Sequence, residues 1–543
     1  MAPVEAAGTI HLDSAFSVLY LTSAPITVQQ QGAGDSIGVD RACHSSGDLC
    51  PEKLSGILMR ILLVASECVP FAKTGGLADV MGALPKFIAK MGHEVDVLIP
   101  RYRKISLDRL LRVAPEFSIP MGGRAKICSI WRAPESPTHS ESIYFVDCPE
   151  YFDREEFYGE KGVDFPDNAE RFALFSRAAI EFAGRSSTPP DLIHCHDWQS
   201  APVPVILKYE SRDAPSLKNL KTVFTIHNMG YQGLFDAAVM KTAGLPKSSF
   251  HIGELEYYGK VNYLKGGIAL AHAITTVSPR YSREIQTPEF GHGLEGVVRS
   301  RAADVHGILN GIDYADWSPA IDPFIVKKYT PESLDGKLEC KLDLLQEFRL
   351  PGQLNRPLIG IISRLDDQKG FDLISEGIES ILAMNPLFVV LGSGKPKYES
   401  LLQRIATTHP QQFGLKLAFD NKLAHKIEAG ADLFLMPSRY EPCGLNQLYS
   451  LKYGTVPVVR ATGGLDDTVE PFSPSTGQGT GFKFHEYTAS AMAAAVRDAL
   501  EIYKDREAWH RLMRAGMTKD FSWGASARQY VKLYESLLSR RAP

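Results

Sequence analysis

Cations and carboxylates in this sequence gather in a few short loops. SRLDDQKG (residues 363–370) puts Arg364 and Lys369 together after the apolar run LIGII. A planar guanidinium and a point-charge ammonium suit a diphosphate, and the helix expected from Phe371 would add its positive end. SRYEPCGLNQ (438–447) puts Glu441 after DLFLMPS, where a carboxylate can hydrogen-bond a sugar or sit beside a reacting centre. KTGGLADV (73–80) pairs Lys73 with two adjacent glycines after MRILLVASECVPF. Adjacent glycines permit unusual dihedrals or close backbone approach, and the lysine points to an anion.

HCHDW (194–198) places His194 and His196 on one side of a strand. No further ligand set appears at zinc spacing, so His194 reads as a buried histidine and His196, nearer the strand end, as a cleft residue. TGGLAD (74–79) recurs as TGGLDD (462–467), and either glycine pair could present its amides as an anion nest.

Other motifs are missing. GSGK (392–395) has Pro396 where a P-loop needs Ser or Thr. No G-x-G-x-x-G follows the first strand, and no D-x-D offers metal ligands for a nucleotide-sugar.

These loops need a scaffold. From Met59 onward, apolar runs alternate with amphipathic stretches. RILLVASE, EVDVLIP, DLIHCHDW, KTVFTIHN and AITTVS read as buried strands, with ADVMGALPKFIAKMG a helix between the first two. LIGIIS, LFVVLG, LKLAF, DLFLMPS and PVVRAT repeat the rhythm, separated by helical segments. Uncharged strands indicate burial on both faces of parallel sheets. The expectation is α/β, with two Rossmann-like doubly wound domains and a boundary near residues 300–355. Nearly every polar cluster falls at a strand's carboxyl end, where such sheets bind ligands, so the site is expected in a cleft between the domains.

Composition narrows the class. The chain has 543 residues, 44% of them apolar, and a formal net charge of −4, which argues against a general nucleic-acid binder. Its eight cysteines form no C-x-x-C pair, which fits a reducing compartment and neither a zinc site nor a disulfide framework. No apolar run approaches the ~18 residues of a membrane span. Residues 1–58 show no sustained period. They carry six acidic residues and one arginine, so they fit a transit peptide poorly and read as a poorly ordered extension before a natural beginning at Met59.

The blocks KTGGLADV, HCHDWQ, HNMGYQG, SPRYSREIQTPEFGHGLEG, ILNGIDYADW, SRLDDQKG, SRYEPCGLNQLYSLKYGTVPVVRATGGLDDTV and FSWGASARQY closely resemble the bacterial glycogen synthases and plant starch synthases, in order, from about residue 59 to 535. The resemblance implies the glycosyltransferase-B architecture and retaining transfer of glucose from ADP-glucose to the non-reducing 4-OH of an α-1,4-glucan, with no metal cofactor. It implies domains at 59–303 (acceptor side) and 304–515 (ADP-glucose side), closing around the donor, with a C-terminal helix within 516–543 packing back on the first. Lys73, Glu441 and His196 match the catalytic positions. Arg364 and Lys369 match the diphosphate pair and Asn310 the N-G-I-D asparagine. Gly75, Gly76, Tyr440, Cys443, Gly444, Thr462, Gly463 and Gly464 are expected to line ADP-glucose, with the Gly463–Gly464 amides on the phosphates. Asn228, Tyr231 and Gln232 are expected on the acceptor side. Neither a nucleic-acid nor a membrane partner is expected. A bacterial cytoplasm is favoured over a plastid. The alternatives are plastidial starch synthesis, a UDP-sugar transferase of the same fold, and a non-catalytic glucan-binding protein, which would tolerate loss of these residues.

Overall fold

The computed structural model describes residues 58–135, 141–160, 162–210 and 217–539; the N-terminal extension lies outside them. Two sheets organise the chain. The first has ten strands, in the order Val305–Gly307, Ala273–Thr276, Lys221–Ile226, Leu192–His196, Arg60–Val64, Glu94–Pro100, Ser142–Asp147, Arg124–Arg132 and Leu111–Arg112, with Phe117–Met121 also pairing on Arg124–Arg132. From Val305–Gly307 to Ser142–Asp147 every pairing is parallel, and beyond that the sheet turns antiparallel. Arg60–Val64 sits mid-sheet and is buried after its first residue, as an uninterrupted ILLV run requires.

The second sheet has six strands, all parallel: Phe413–Lys416, Leu387–Leu391, Leu358–Ile362, Leu433–Met436, Val456–Arg460 and Phe482–Phe484. Helices pack on it from both sides, around separate apolar clusters. Both sheets deliver their polar loops at carboxyl ends: 65–75 after Arg60–Val64, Asp197 after Leu192–His196, His227 after Lys221–Ile226, 363–370 after Leu358–Ile362, and 437–445 after Leu433–Met436.

The antiparallel edge is not legible in the apolar runs. Arg124–Arg132 (RAKICSIWR) mixes charges with apolar residues and is buried mainly over Cys128–Ile130. The last helix, Trp523–Ser539, follows the second sheet in sequence but packs on Gly76–Lys90 and adds Trp523, Ala527 and Tyr530 to the first sheet's core. Its Tyr534 hydroxyl lies 2.7 Å from His194 Nδ1.

One buried cation ties down the 151–168 segment, which reaches the cleft through Tyr158. Arg171 donates from Nε to the Tyr151 carbonyl at 2.7 Å, and from one terminal nitrogen to the Phe157 carbonyl at 2.9 Å and to Asn168 Oδ1 at 2.7 Å. Arg171→Met strands these acceptors without a donor. It should lower stability by about 3 kcal/mol, measured as a lower urea midpoint of the first-sheet unit; an unchanged midpoint would contradict this role.

Candidate active site

Glu441 is 5% exposed. Its Oε2 accepts from Lys369 Nζ at 2.6 Å and from Ser438 Oγ at 3.0 Å. The Asp366 carboxylate accepts the Lys369 backbone N–H at 3.1 Å and so shapes the loop that carries the lysine. Gly370 follows at φ 77°, where a Cβ would lie 2.0 Å from the Pro437 carbonyl oxygen, so glycine is needed for the two loops to touch. Arg364 stays half-exposed at that loop's outer end, 3.7 Å from Asp366. Its guanidinium also meets the Tyr231 hydroxyl, although Tyr231 belongs to the first sheet's loops. Tyr440 lies edge-on to His292, with ring centroids 5.7 Å apart.

The KTGG turn is open on one side. Lys73, Thr74, Gly75 and Gly76 are exposed, and nothing lies within 4 Å of a Cβ built on either glycine. Lys73 Nζ bonds Asp79 Oδ1 at 2.6 Å. Behind the turn the Glu67 carboxylate accepts the Thr74 N–H at 2.5 Å, the Thr74 hydroxyl at 2.6 Å, the Gly75 N–H at 3.3 Å and the Tyr158 hydroxyl at 2.6 Å. Helix Gly76–Lys90 begins here with no side chain capping it, which leaves its first turn facing an approaching anion.

The second glycine pair behaves differently, and the expectation that the Gly463–Gly464 amides face the phosphates is corrected. The Gly463 N–H goes to both oxygens of Glu284 at 3.1 Å each. The Gly464 N–H goes to the carbonyls of Glu441 and Pro442, again at 3.1 Å each. A Cβ on Gly463 would lie 1.9 Å from the Glu441 carbonyl oxygen, and one on Gly464 would lie 2.1 Å from that of Cys443. These glycines let their loop pack against the backbone of the Glu441 segment. Thr462, 1% exposed, stays with that packing rather than facing a ligand.

His194 and His196 are fully buried, and His227 beside them is half-buried. His194 is held between Tyr534 and Thr225, the latter at 2.5 Å. His196 Nδ1 lies 3.0 Å from His227 Nε2, while its own Nε2 has no protein partner. Burial, helped by neighbouring imidazoles, holds His194 down at about 3 and His196 well below the usual histidine range; burial alone takes His227 to about 3. Asp197 sits beside them at φ 57° and accepts the His227 N–H at 2.7 Å. Burial pushes its carboxyl up to about 7, against the pull of the backbone N–H groups of His227 and Asn228.

Asn310 is buried with an unpartnered Oδ1. Its backbone N–H reaches the Cys443 thiol, which burial nonetheless pushes up to about 12, so Cys443 is no nucleophile at neutral pH. Gly444 turns at φ 72° into helix Asn446–Lys452. Asn228 accepts the Gly230 N–H at 2.9 Å. Gln232 is committed to the protein, donating to the Met229 and His292 carbonyls and accepting from Asn262 at 2.7 Å, so it shapes the wall rather than offering a free amide. Glu67, Tyr158, Glu284 and Ser438 escape a reading of the sequence. Only Glu67 and Ser438, which lie just past the ends of Arg60–Val64 and Leu433–Met436, carry a positional signal.

Known proteins match this arrangement along most of the chain. Residues 60–300 match the model described as the starch synthase catalytic domain, and 346–514 that for glycosyl transferases group 1. The glycogen synthase of Koribacter versatilis is 52% identical over 485 residues, covering 89% of this chain and 99% of that one. The chain belongs to the glycogen and starch synthase family. Another family member, the glycogen synthase of Anaeromyxobacter dehalogenans, is 47% identical over 88% of this chain and 100% of its own. Among solved structures, the catalytic domain of starch synthase IV from Arabidopsis thaliana, bound to ADP and acarbose, superposes with a TM-score of 0.82 at 35% identity, covering 89% of this chain and all of that one. The fold is the glycosyltransferase-B architecture of that family. Among the described residues no helix is long and apolar enough to cross a membrane, and no cluster of three or more His, Cys, Asp or Glu could hold a metal ion.

The histidine chain has a pH consequence. A depressed histidine adds stability that is present above its unfolded value of 6.5 and lost as pH falls towards the folded value. Asp197 acts oppositely, since its raised carboxyl takes up a proton first on acidification, as do the raised carboxyls of Asp96 and Glu428. Each ring contributes about 1.4 kcal/mol per pH unit. The ring NMR signals of His194, His196 and His227 should therefore stay those of neutral imidazoles at pH 5.5. Rings titrating near 6.5 would contradict it.

Proposed function

We propose that the chain transfers glucose from ADP-glucose to the non-reducing 4-OH of an α-1,4-glucan, releasing ADP with retention at C1. The observation that carries this reading is the buried Lys369–Glu441 pair, with Arg364 on the same loop and the open KTGG turn past the carboxyl end of the first sheet's central strand. The solved relative bound to ADP and acarbose supports a nucleotide and a glucan-like chain in such a site.

In the reaction the bond between C1 and the diphosphate oxygen breaks, negative charge builds on ADP, and the sugar becomes oxocarbenium-like. Lys369 carries three N–H donors and uses one on Glu441, leaving two for the diphosphate. Arg364 adds its planar fork, and Lys73 with the uncapped start of helix Gly76–Lys90 adds charge from the opposite side as the domains close. Glu441 lies at the glucose and steadies the reacting centre. Two of the buried atoms without hydrogen-bond partners, His196 Nε2 and Asn310 Oδ1, are offered to sugar hydroxyls. Neutral His196 stays uncharged beside a cationic sugar. Tyr231 and Asn228 border the acceptor. In a same-face route the departing phosphate takes the 4-OH proton as that oxygen bonds to C1; in a two-step route an enzyme nucleophile first bonds C1 as ADP leaves, and the 4-OH then displaces it, giving its proton to the ADP phosphate; both routes preserve retention. Cations stand where related chemistry uses a metal, so none is required. The bacterial relatives support a bacterial cytoplasm as the setting.

Radiolabelled ADP-glucose and UDP-glucose, each offered with glycogen, test the reading. ADP-glucose should label the polymer far faster, and Lys369→Ala or Glu441→Ala should lower turnover by about 100- to 1,000-fold with the fold intact. Equal use of both donors would overturn the donor assignment. Near-wild-type turnover in both variants would overturn the site.

A further inference from the structure

We infer that Glu284 is a positioning residue for Glu441, acting from the other sheet's side of the cleft through the 462–464 loop. This rests on the proposed role of Glu441.

Glu284 ends the helix Pro279–Glu284, which follows the first-sheet strand Ala273–Thr276, and is 5% exposed. It takes the Gly463 N–H with both oxygens at 3.1 Å, and the Thr462 hydroxyl approaches each oxygen to 3.5 Å. Arg280, one turn earlier, balances its charge at 3.1 Å, and the Arg280 backbone N–H bonds Asp467 Oδ2 at 2.6 Å. The carboxylate is therefore a built contact between the two halves of the cleft and not a solvated surface group.

From Gly463 the connection to the site is short. The neighbouring Gly464 N–H holds the carbonyls of Glu441 and Pro442, and neither glycine has room for a Cβ against the 441–443 backbone. The loop can shift only if the Glu441 backbone shifts with it. Close packing transmits displacement in this way, and a misplacement of about 1 Å at a reacting group can cost 100-fold in rate. Lys369 and Ser438 fix the Glu441 side chain from the second sheet's side. Glu284 fixes its backbone from the first sheet's side, so the carboxylate is placed correctly only when both halves are in register.

The test compares Glu284→Gln, Glu284→Ala and Glu284→Asp in the full chain. Glutamine keeps an acceptor for the Gly463 N–H. Alanine removes it, and aspartate keeps the charge but draws it back by one methylene. The expected result is kcat within about tenfold of wild type for Gln and about 100-fold or more lower for Ala and Asp, with the KM for ADP-glucose within threefold in all. Hydrogen exchange should quicken in peptides covering 441–446 and 462–466 in Ala and Asp but not in Gln. Wild-type kcat in Ala or Asp would overturn the inference, as would equal losses in Gln and Ala that follow lowered Tm. The exchange measurement reads the coupling without catalysis, so an inactive wild-type enzyme would sink the glucosyl-transfer reading while unchanged exchange in Ala and Asp would sink this one.

Discussion

The site depends on one buried ion pair. Lys369 and Glu441 meet at 2.6 Å with little solvent around either. Taking two charges out of water is expensive, and the contact is favourable only where geometry and further hydrogen bonds offset that cost. Ser438 supplies one such bond, Asp366 shapes the lysine's loop, and the Gly370 turn lets that loop touch Pro437. Two neighbouring parallel strands, Leu358–Ile362 and Leu433–Met436, deliver the two partners from adjacent carboxyl ends. That adjacency is a property of the doubly wound sheet, and the chemistry uses it.

The same few letters, T-G-G-L, serve opposite purposes at the two edges of the cleft. At 74–77 the glycines are exposed, and Glu67 holds the turn from behind while its front stays open. At 462–465 the glycines are buried and their amides are consumed, one by Glu284 and one by the Glu441 segment. An exposed helix start and a buried packing spacer therefore share a motif, and exposure tells them apart, since the Thr74 and Gly75 N–H groups also have an acceptor in Glu67.

Much of this was legible in the sequence, and the rest was hidden for physical reasons. Uncharged runs such as ILLV and LFVVL announce strands buried on both faces, and the polar residues after them mark the cleft, so the fold class and the cluster of Arg364, Lys369 and Glu441 could be read directly. RAKICSIWR could not, because an antiparallel edge strand is only partly buried and its charges mask the period. Glu284 was silent for another reason. Its partner is a backbone N–H 179 positions away, and backbone donors leave no mark in a sequence. Gln232 is expected on the acceptor side from the resemblance alone; the partners on both ends of its amide show that it braces the wall there.

We propose that Arg364 and Lys369 hold the diphosphate without help from a metal. Calorimetric titration of ADP in EDTA-containing buffer, with wild type and an Arg364→Ala/Lys369→Ala double variant, addresses it most directly. Wild type is expected to bind ADP without metal, and the double variant to bind it about 100-fold or more weakly. Equal affinities, or binding that appears only when a divalent cation is added, would contradict it.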